Sequence, residues 1–141
     1  MVIAGPGLET AFGESLSRAT TNQSIHFPGM LKGSAKWGAF YGCEAFLLPS
    51  HQENFGIAVI EALACGKPVL ISDQINIWKE IESAKAGLIC KDTEEGIFAM
   101  LKYWTKESNE KKREMGKNAF EVFQKHFAIE KAAKKLVECV Q

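Results

Sequence analysis

Short apolar runs separated by longer amphipathic stretches set the pattern of this chain. Residues 1–4, 25–27, 45–48, 69–72 and 87–90 are apolar or small almost throughout, and each is of strand length. Between them lie segments with helical spacing. In 8–19, Leu8, Phe12, Leu16 and Ala19 fall on one face; in 35–43, after a plausible N-cap at Ser34, come Trp37 and Phe40. Residues 56–66 form an almost wholly apolar helix with a single charge, Glu61, and a helix from about 76 to 83 carries Ile77, Trp78 and Ile81. Three helices are predicted to finish the chain, over 93–104, 108–126 and 129–140. The second has a stripe of Met115, Ala119, Val122 and Phe123, the third one of Ala132, Ala133, Leu136, Val137 and Val140.

Strands that are apolar along their whole length, each followed by a helix, imply a parallel sheet covered on both faces. The expectation is one α/β domain over residues 1–141, a Rossmann-like three-layer sandwich with a mostly parallel sheet of about five strands. Lys and Arg number 17 against 17 Asp and Glu, so there is no net field to draw a polyanion, and nucleic acid is disfavoured as a partner. No apolar run is long enough to span a membrane, and residue 1 is not followed by a basic and then an apolar leader. Cys43, Cys65, Cys90 and Cys139 are widely spaced among apolar neighbours, which suits reduced, buried thiols in a cytoplasmic protein better than disulfides or a zinc site.

Candidate chemistry starts with Gly5-Pro6-Gly7, a glycine turn between strand and helix. A dinucleotide fingerprint needs Gly or Ala three residues on, where this chain has Thr10, and an acid near the next strand's end, where 26–29 offer none. A tight turn is the better reading. Residues 49–69, PSHQENFGIAVIEALACGKPV, are richer. Glu61 is the only charged side chain of its helix, and a carboxylate among Ile57, Val59, Ile60 and Leu63 is costly unless hydrogen-bonded. The residues leave two partners open, a neighbouring backbone loop or the hydroxyls of a ligand. Glu53 stands just before the helix, where it could complement the helix dipole. The free N–H groups of Phe55, Gly56, Ile57 and Ala58 offer an anion site, and Gly56 lets a ligand approach the backbone. A diphosphate on those N–H groups, with carboxylates accepting hydroxyl hydrogens on either side, describes a sugar nucleotide.

Pro49-Ser50-x-x-Glu53-Asn54-Phe55-Gly56-x4-Glu61-Ala62-x-Ala64-x-Gly66-x-Pro68-Val69 resembles the E-x7-E signature of family-4 (group 1) retaining glycosyltransferases. Residues 1–7, 25–31, 43–50 and 86–88 resemble further strands and turns of the same enzymes' C-terminal domain. The resemblance implies the GT-B arrangement of two Rossmann-like domains, the C-terminal one holding the donor. It implies that Glu61 binds the ribose hydroxyls and that Glu53, as the catalytic-site carboxylate, contacts the donor sugar. Asn54, Phe55, Gly56, Ile57 and Ala58 would face sugar and diphosphate, and Met30 and Leu31 would flank the base through main-chain contacts. His51 and Gln52 line the same loop and are read as structural or peripheral, His26 and His126 as ordinary histidines. No cofactor or metal is implied; the partners are a nucleotide-sugar donor and a glycan or lipid-linked acceptor.

The chain departs from the family pattern in two places. Where many relatives have Gly-Gly-x-x-Glu after the next strand, it has Gln74-Ile75-Asn76-Ile77-Trp78-Lys79-Glu80, which leaves the donor open. It also begins one βα unit later than the family's C-terminal domain, without the Gly-Arg turn and Lys that neutralise the donor diphosphate. Lys32, Lys36 and Lys67 do not take those places. The absent strand would lie between those at Met1 and Ala45. Those two are therefore expected to pair directly in a closed five-strand sheet, or a second copy fills the gap, or a preceding segment belongs there. Alongside the transferase stands an alternative: a truncated, non-catalytic nucleotide-binding or oligomerising module.

Overall fold

The computed structural model describes residues 1–20, 24–53 and 55–128. The expected helix over 129–140, Cys139 and Asn54 lie outside the described residues. The chain divides into two compact units, Met1–Ala39 and Phe40–Gln141. In the first, β1 (Val2–Ala4) pairs in parallel with β2 (His26–Gly29), Val2 opposite His26 and Ala4 opposite Gly29. Between them lies α1 (Ala11–Ala19). It starts three residues later than the apolar spacing suggests, because Thr10 caps it. The Thr10 hydroxyl oxygen accepts from Gly13 N–H at 3.1 Å and donates to the Gly7 carbonyl at 2.6 Å. Leu8 therefore falls in the turn before the helix, and Phe12, read as part of one apolar face, is 76% exposed.

The helix α2 (Gly33–Gly42) leads into the second unit, where three strands form a parallel ladder in the order β3 (Phe46–Leu48), β4 (Val69–Ser72), β5 (Gly87–Cys90). The crossovers are α3 (Ile57–Ala64) and α4 (Trp78–Ser83); α5 (Glu94–Lys106) and α6 (Asn109–Val122) follow, the latter ending in a π-helical turn, Phe123–Phe127. Thr93 and Ser108, read as first helical residues, stand one step outside, as caps whose oxygens accept from Gly96 and Lys111 N–H.

Every residue of β4 is buried, and alternation divides its side chains between two cores. Val69 and Ile71 pack with Val59, Ala62 and Leu63 of α3, Ile81 of α4, and Ala119 and Val122 of α6. Leu70 packs on the other face with Met100 and Trp104 of α5. Helix, sheet and helix make the three layers. Gly87 fits this tight ladder because a Cβ there would lie only 1.9 Å from the Val69 carbonyl oxygen.

The five parallel strands thus form two ladders, of two and three strands, rather than one sheet. The direct pairing of the first and third strands does not occur: β1 pairs with β2 and β3 with β4. Both are three residues long, and the β1 register shifts within that length, so each offers few ladder hydrogen bonds on its remaining edge. Among the described residues no helix is long and apolar enough to cross a membrane.

The described cysteines are free thiols, half-buried rather than fully buried as expected. Burial pushes the Cys43 and Cys90 thiols up; at Cys90 the Asp73 and Asp92 carboxylates push the same way. Both thiols should therefore stay protonated at neutral pH and react with iodoacetamide more slowly than free cysteine, in a time course followed by mass spectrometry. Leu63→Ala, at the centre of the larger core, is expected to cost about 2–5 kcal/mol in urea unfolding. Phe12→Ala should stay within about 0.5 kcal/mol.

Candidate functional site

The signature loop runs from the carboxyl end of β3 to the start of α3, at the end of a parallel sheet where ligands usually bind. It is pinned on both sides. The buried Ser72 hydroxyl donates to the Ser50 carbonyl at 2.5 Å, and Glu53 makes a parallel backbone bridge to Ile75 beyond β4. Gly56 then turns the chain into α3 with φ +63° and ψ +51°, a left-handed conformation that costs an L side chain. It is buried, and a Cβ there would meet Ile75 at 3.2 Å and Val59 at 3.3 Å.

That turn shapes the helix start. Val59 and Ile60 give their N–H groups to the Gly56 carbonyl, at 2.8 and 3.1 Å, and no side chain caps the end. Among the described residues the N–H groups of Ile57 and Ala58 have no hydrogen-bond partner, so the positive end of the helix dipole keeps donors for an anion. The side chain of Glu53 is half-buried, its Cγ 3.6 Å from where a Gly56 Cβ would be, so the carboxylate stem lies against the turn. Glu61 is half-buried one turn beyond Ile57, which is 67% exposed, as Phe55 is 56% exposed.

The expectation that α3 is buried nearly all round needs one correction, at its start. Val59, Ala62 and Leu63 face the core and Ala58, Ile60, Glu61 and Ala64 are half-buried, while Ile57 is exposed. An apolar Ile57 made the first turn look buried in sequence. Glu53, Phe55, Gly56, Ile57, Ala58 and Glu61 are gathered in one stretch of the second unit. Met30, exposed, and Leu31, half-buried, belong to the first unit and directly follow β2.

Two groups at this end were not singled out in sequence. Asp73 N–H donates to the Cys90 carbonyl at 2.9 Å, extending the β4–β5 ladder, while its carboxylate accepts from Gln74 Nε2 at 2.8 Å. Asp92 lies beyond β5, its Oδ2 2.7 Å from His51 Nδ1. A lone Asp before Thr93 reads as part of a helix cap, and nothing local ties it to a histidine 41 residues away. A concavity of about 840 Å³ lies at the opposite end of the strands between Lys67, Pro68 and α6, and none of the predicted site residues lines it.

Comparison with known proteins places the chain in a family. A GDP-mannose-dependent α-(1-6)-phosphatidylinositol dimannoside mannosyltransferase from Mycobacterium tuberculosis is 29% identical over 124 residues, 87% of this chain and 32% of that protein. A Campylobacter jejuni enzyme, N,N'-diacetylbacillosaminyl-diphospho-undecaprenol α-1,3-N-acetylgalactosaminyltransferase, is 43% identical over 49 residues, 35% of this chain and 13% of its own length. The chain thus spans about a third or less of these curated relatives. Among solved structures, sucrose-phosphate synthase from Thermosynechococcus elongatus superposes with a TM-score of 0.81 at 19% identity, over 99% of this chain and 37% of that one. Anabaena HepE in complex with UDP and glucose does so with a TM-score of 0.78 at 20% identity, over 99% and 39%. These likenesses establish the fold, and the family model described as glycosyl transferases group 1 matches residues 1–122. The chain belongs to the group 1 glycosyltransferases.

Proposed function

We propose that this chain is the donor-binding part of a retaining glycosyltransferase of family 4. The parent enzyme transfers a sugar from a nucleoside diphosphate-sugar to an acceptor hydroxyl and keeps the anomeric configuration. The observation that carries the reading is the turn at Gly56. It leaves the Ile57 and Ala58 N–H groups as donors at a helix start, with one carboxylate just before it and another one turn into the helix.

Each group then has a role that its chemistry suits. The helix N–H groups take the diphosphate and stabilise the charge that grows on it as the glycosidic bond breaks. A carboxylate can only accept, so Glu53 and Glu61 suit hydroxyls and not phosphate. Glu61, farther along α3, takes the ribose, and Glu53, at the mouth of the turn, takes the sugar being transferred. Asn54, by resemblance, belongs with Phe55 and Gly56 in facing sugar and diphosphate. The reading needs no cofactor or metal.

Relatives named for a phosphatidylinositol dimannoside and a diphospho-undecaprenol sugar support a lipid-linked glycan as the acceptor class. The chain matches about a third of the mannosyltransferase relative's length, so the transfer itself is proposed for the parent enzyme.

Calorimetric titration with UDP, GDP and ADP tests the reading. One of the three is expected to bind, and Glu61→Ala should weaken it about tenfold or more by removing the ribose acceptor. Unchanged affinity in that variant would remove Glu61 from the site. Gly56→Ala should weaken the same nucleotide and lower stability by about 1–2 kcal/mol through the left-handed backbone. Full affinity in a stable Gly56→Ala protein would contradict the role given to the turn.

A further inference from the structure

His51 and Asp92 form a pair that fold stability does not explain. The imidazole is 89% exposed, whereas the Asp92 side chain is only 17% exposed. An exposed pair of this kind adds little to stability. Yet Asp92 Oδ1 is buried without a hydrogen-bond partner among the described residues, which is unfavourable. The arrangement holds an open ring on a buried anchor at a net cost.

The anchor fixes the chemistry of the ring. A carboxylate has only acceptor atoms, so the short contact at 2.7 Å places a proton on Nδ1, and the neutral ring then carries its lone pair on Nε2. The backbone around the ring is also held, by the Ser72 hydroxyl on Ser50 and by the Glu53–Ile75 bridge. With two peptide units between them, the Cα atoms of His51 and Glu53 are at most about 7 Å apart. In its neutral form the ring is an acceptor of fixed tautomer, two residues along the same loop from the carboxylate assigned to the sugar.

We propose that His51 is a specificity residue for the donor. Its Nε2 accepts a hydrogen bond from a hydroxyl of the transferred sugar, and Asp92 is its positioning residue. The inference rests on the donor-binding reading above. It adds a sugar contact outside the carboxylate pair, one that the bare nucleotide does not make.

The test compares UDP with UDP-glucose, and GDP with GDP-mannose, on the unsubstituted chain, His51→Ala, Asp92→Asn and the double variant. The quantity read is the affinity that the sugar adds to the bare diphosphate. His51→Ala should reduce that gain about fivefold and leave the bare nucleotide within about twofold, as expected for one neutral hydrogen bond. Asp92→Asn frees the tautomer without changing shape and should reduce the gain similarly, and the double variant should lose no more than either alone. Nitrogen NMR of the ring should show the Nδ1–H form in the unsubstituted chain and a mixture in Asp92→Asn. Since the ring is exposed, His51→Ala keeps the test open if Asp92→Asn does not fold. A sugar gain that survives both substitutions, equal weakening of both ligands, or a sugar that adds nothing in either pair overturns the inference alone. Failure of the unsubstituted chain to bind any of these four ligands or ADP overturns the donor-binding reading and the inference with it.

Discussion

The packing of β4 is the constraint on which the second unit depends. Its four residues are buried completely, with Val69 and Ile71 turned into one helix layer and Leu70 into the other. A strand in that position can carry no polar side chain toward either layer, and its one exception, Ser72, donates to the Ser50 carbonyl. That bond fixes where the signature loop leaves β3. The Glu53–Ile75 bridge repeats the attachment three residues later, so the loop that carries the chemistry is stitched to the most buried strand.

The site inherits its electrostatics from this backbone. Gly56, held against Ile75 and Val59, has no room for a side chain, and its left-handed turn gives α3 an uncapped start. Donors there attract an anion, and the two carboxylates nearby would repel one unless they engage the hydroxyls on either side of it. A molecule with a diphosphate between two polyols satisfies both demands. Farther along the same sheet end, Asp92 Oδ2 holds the His51 ring, which the inference above makes a further acceptor.

Much of this was legible in the chain. The run 69–72 announces a strand buried on both faces because it is apolar without alternation, and all five strands appear where such runs stand. The carboxylate pair was legible through the company it keeps: Phe-Gly, Glu-Ala and Pro-Val at fixed spacing. Periodicity misled at α1, where the capping hydroxyl of Thr10 outweighs the stripe of Leu8, Phe12 and Leu16 and delays the helix. It misled again at the start of α3, where Ile57 is apolar yet exposed. Strand pairing and the His51–Asp92 contact were hidden for a common reason. Both join residues distant in sequence, and only folding brings them together.

The central claim is that the donor sits at the turn into α3, at the carboxyl end of the strands. Amide NMR of the uniformly labelled chain, recorded during titration with UDP-glucose and GDP-mannose, tests it most directly. The account predicts that the largest shifts with one of these ligands fall on Gly56, Ile57 and Ala58, with Glu61 following. Shifts concentrated instead on Lys67, Gly116 and Lys117, around the concavity at the other end of the strands, would contradict it.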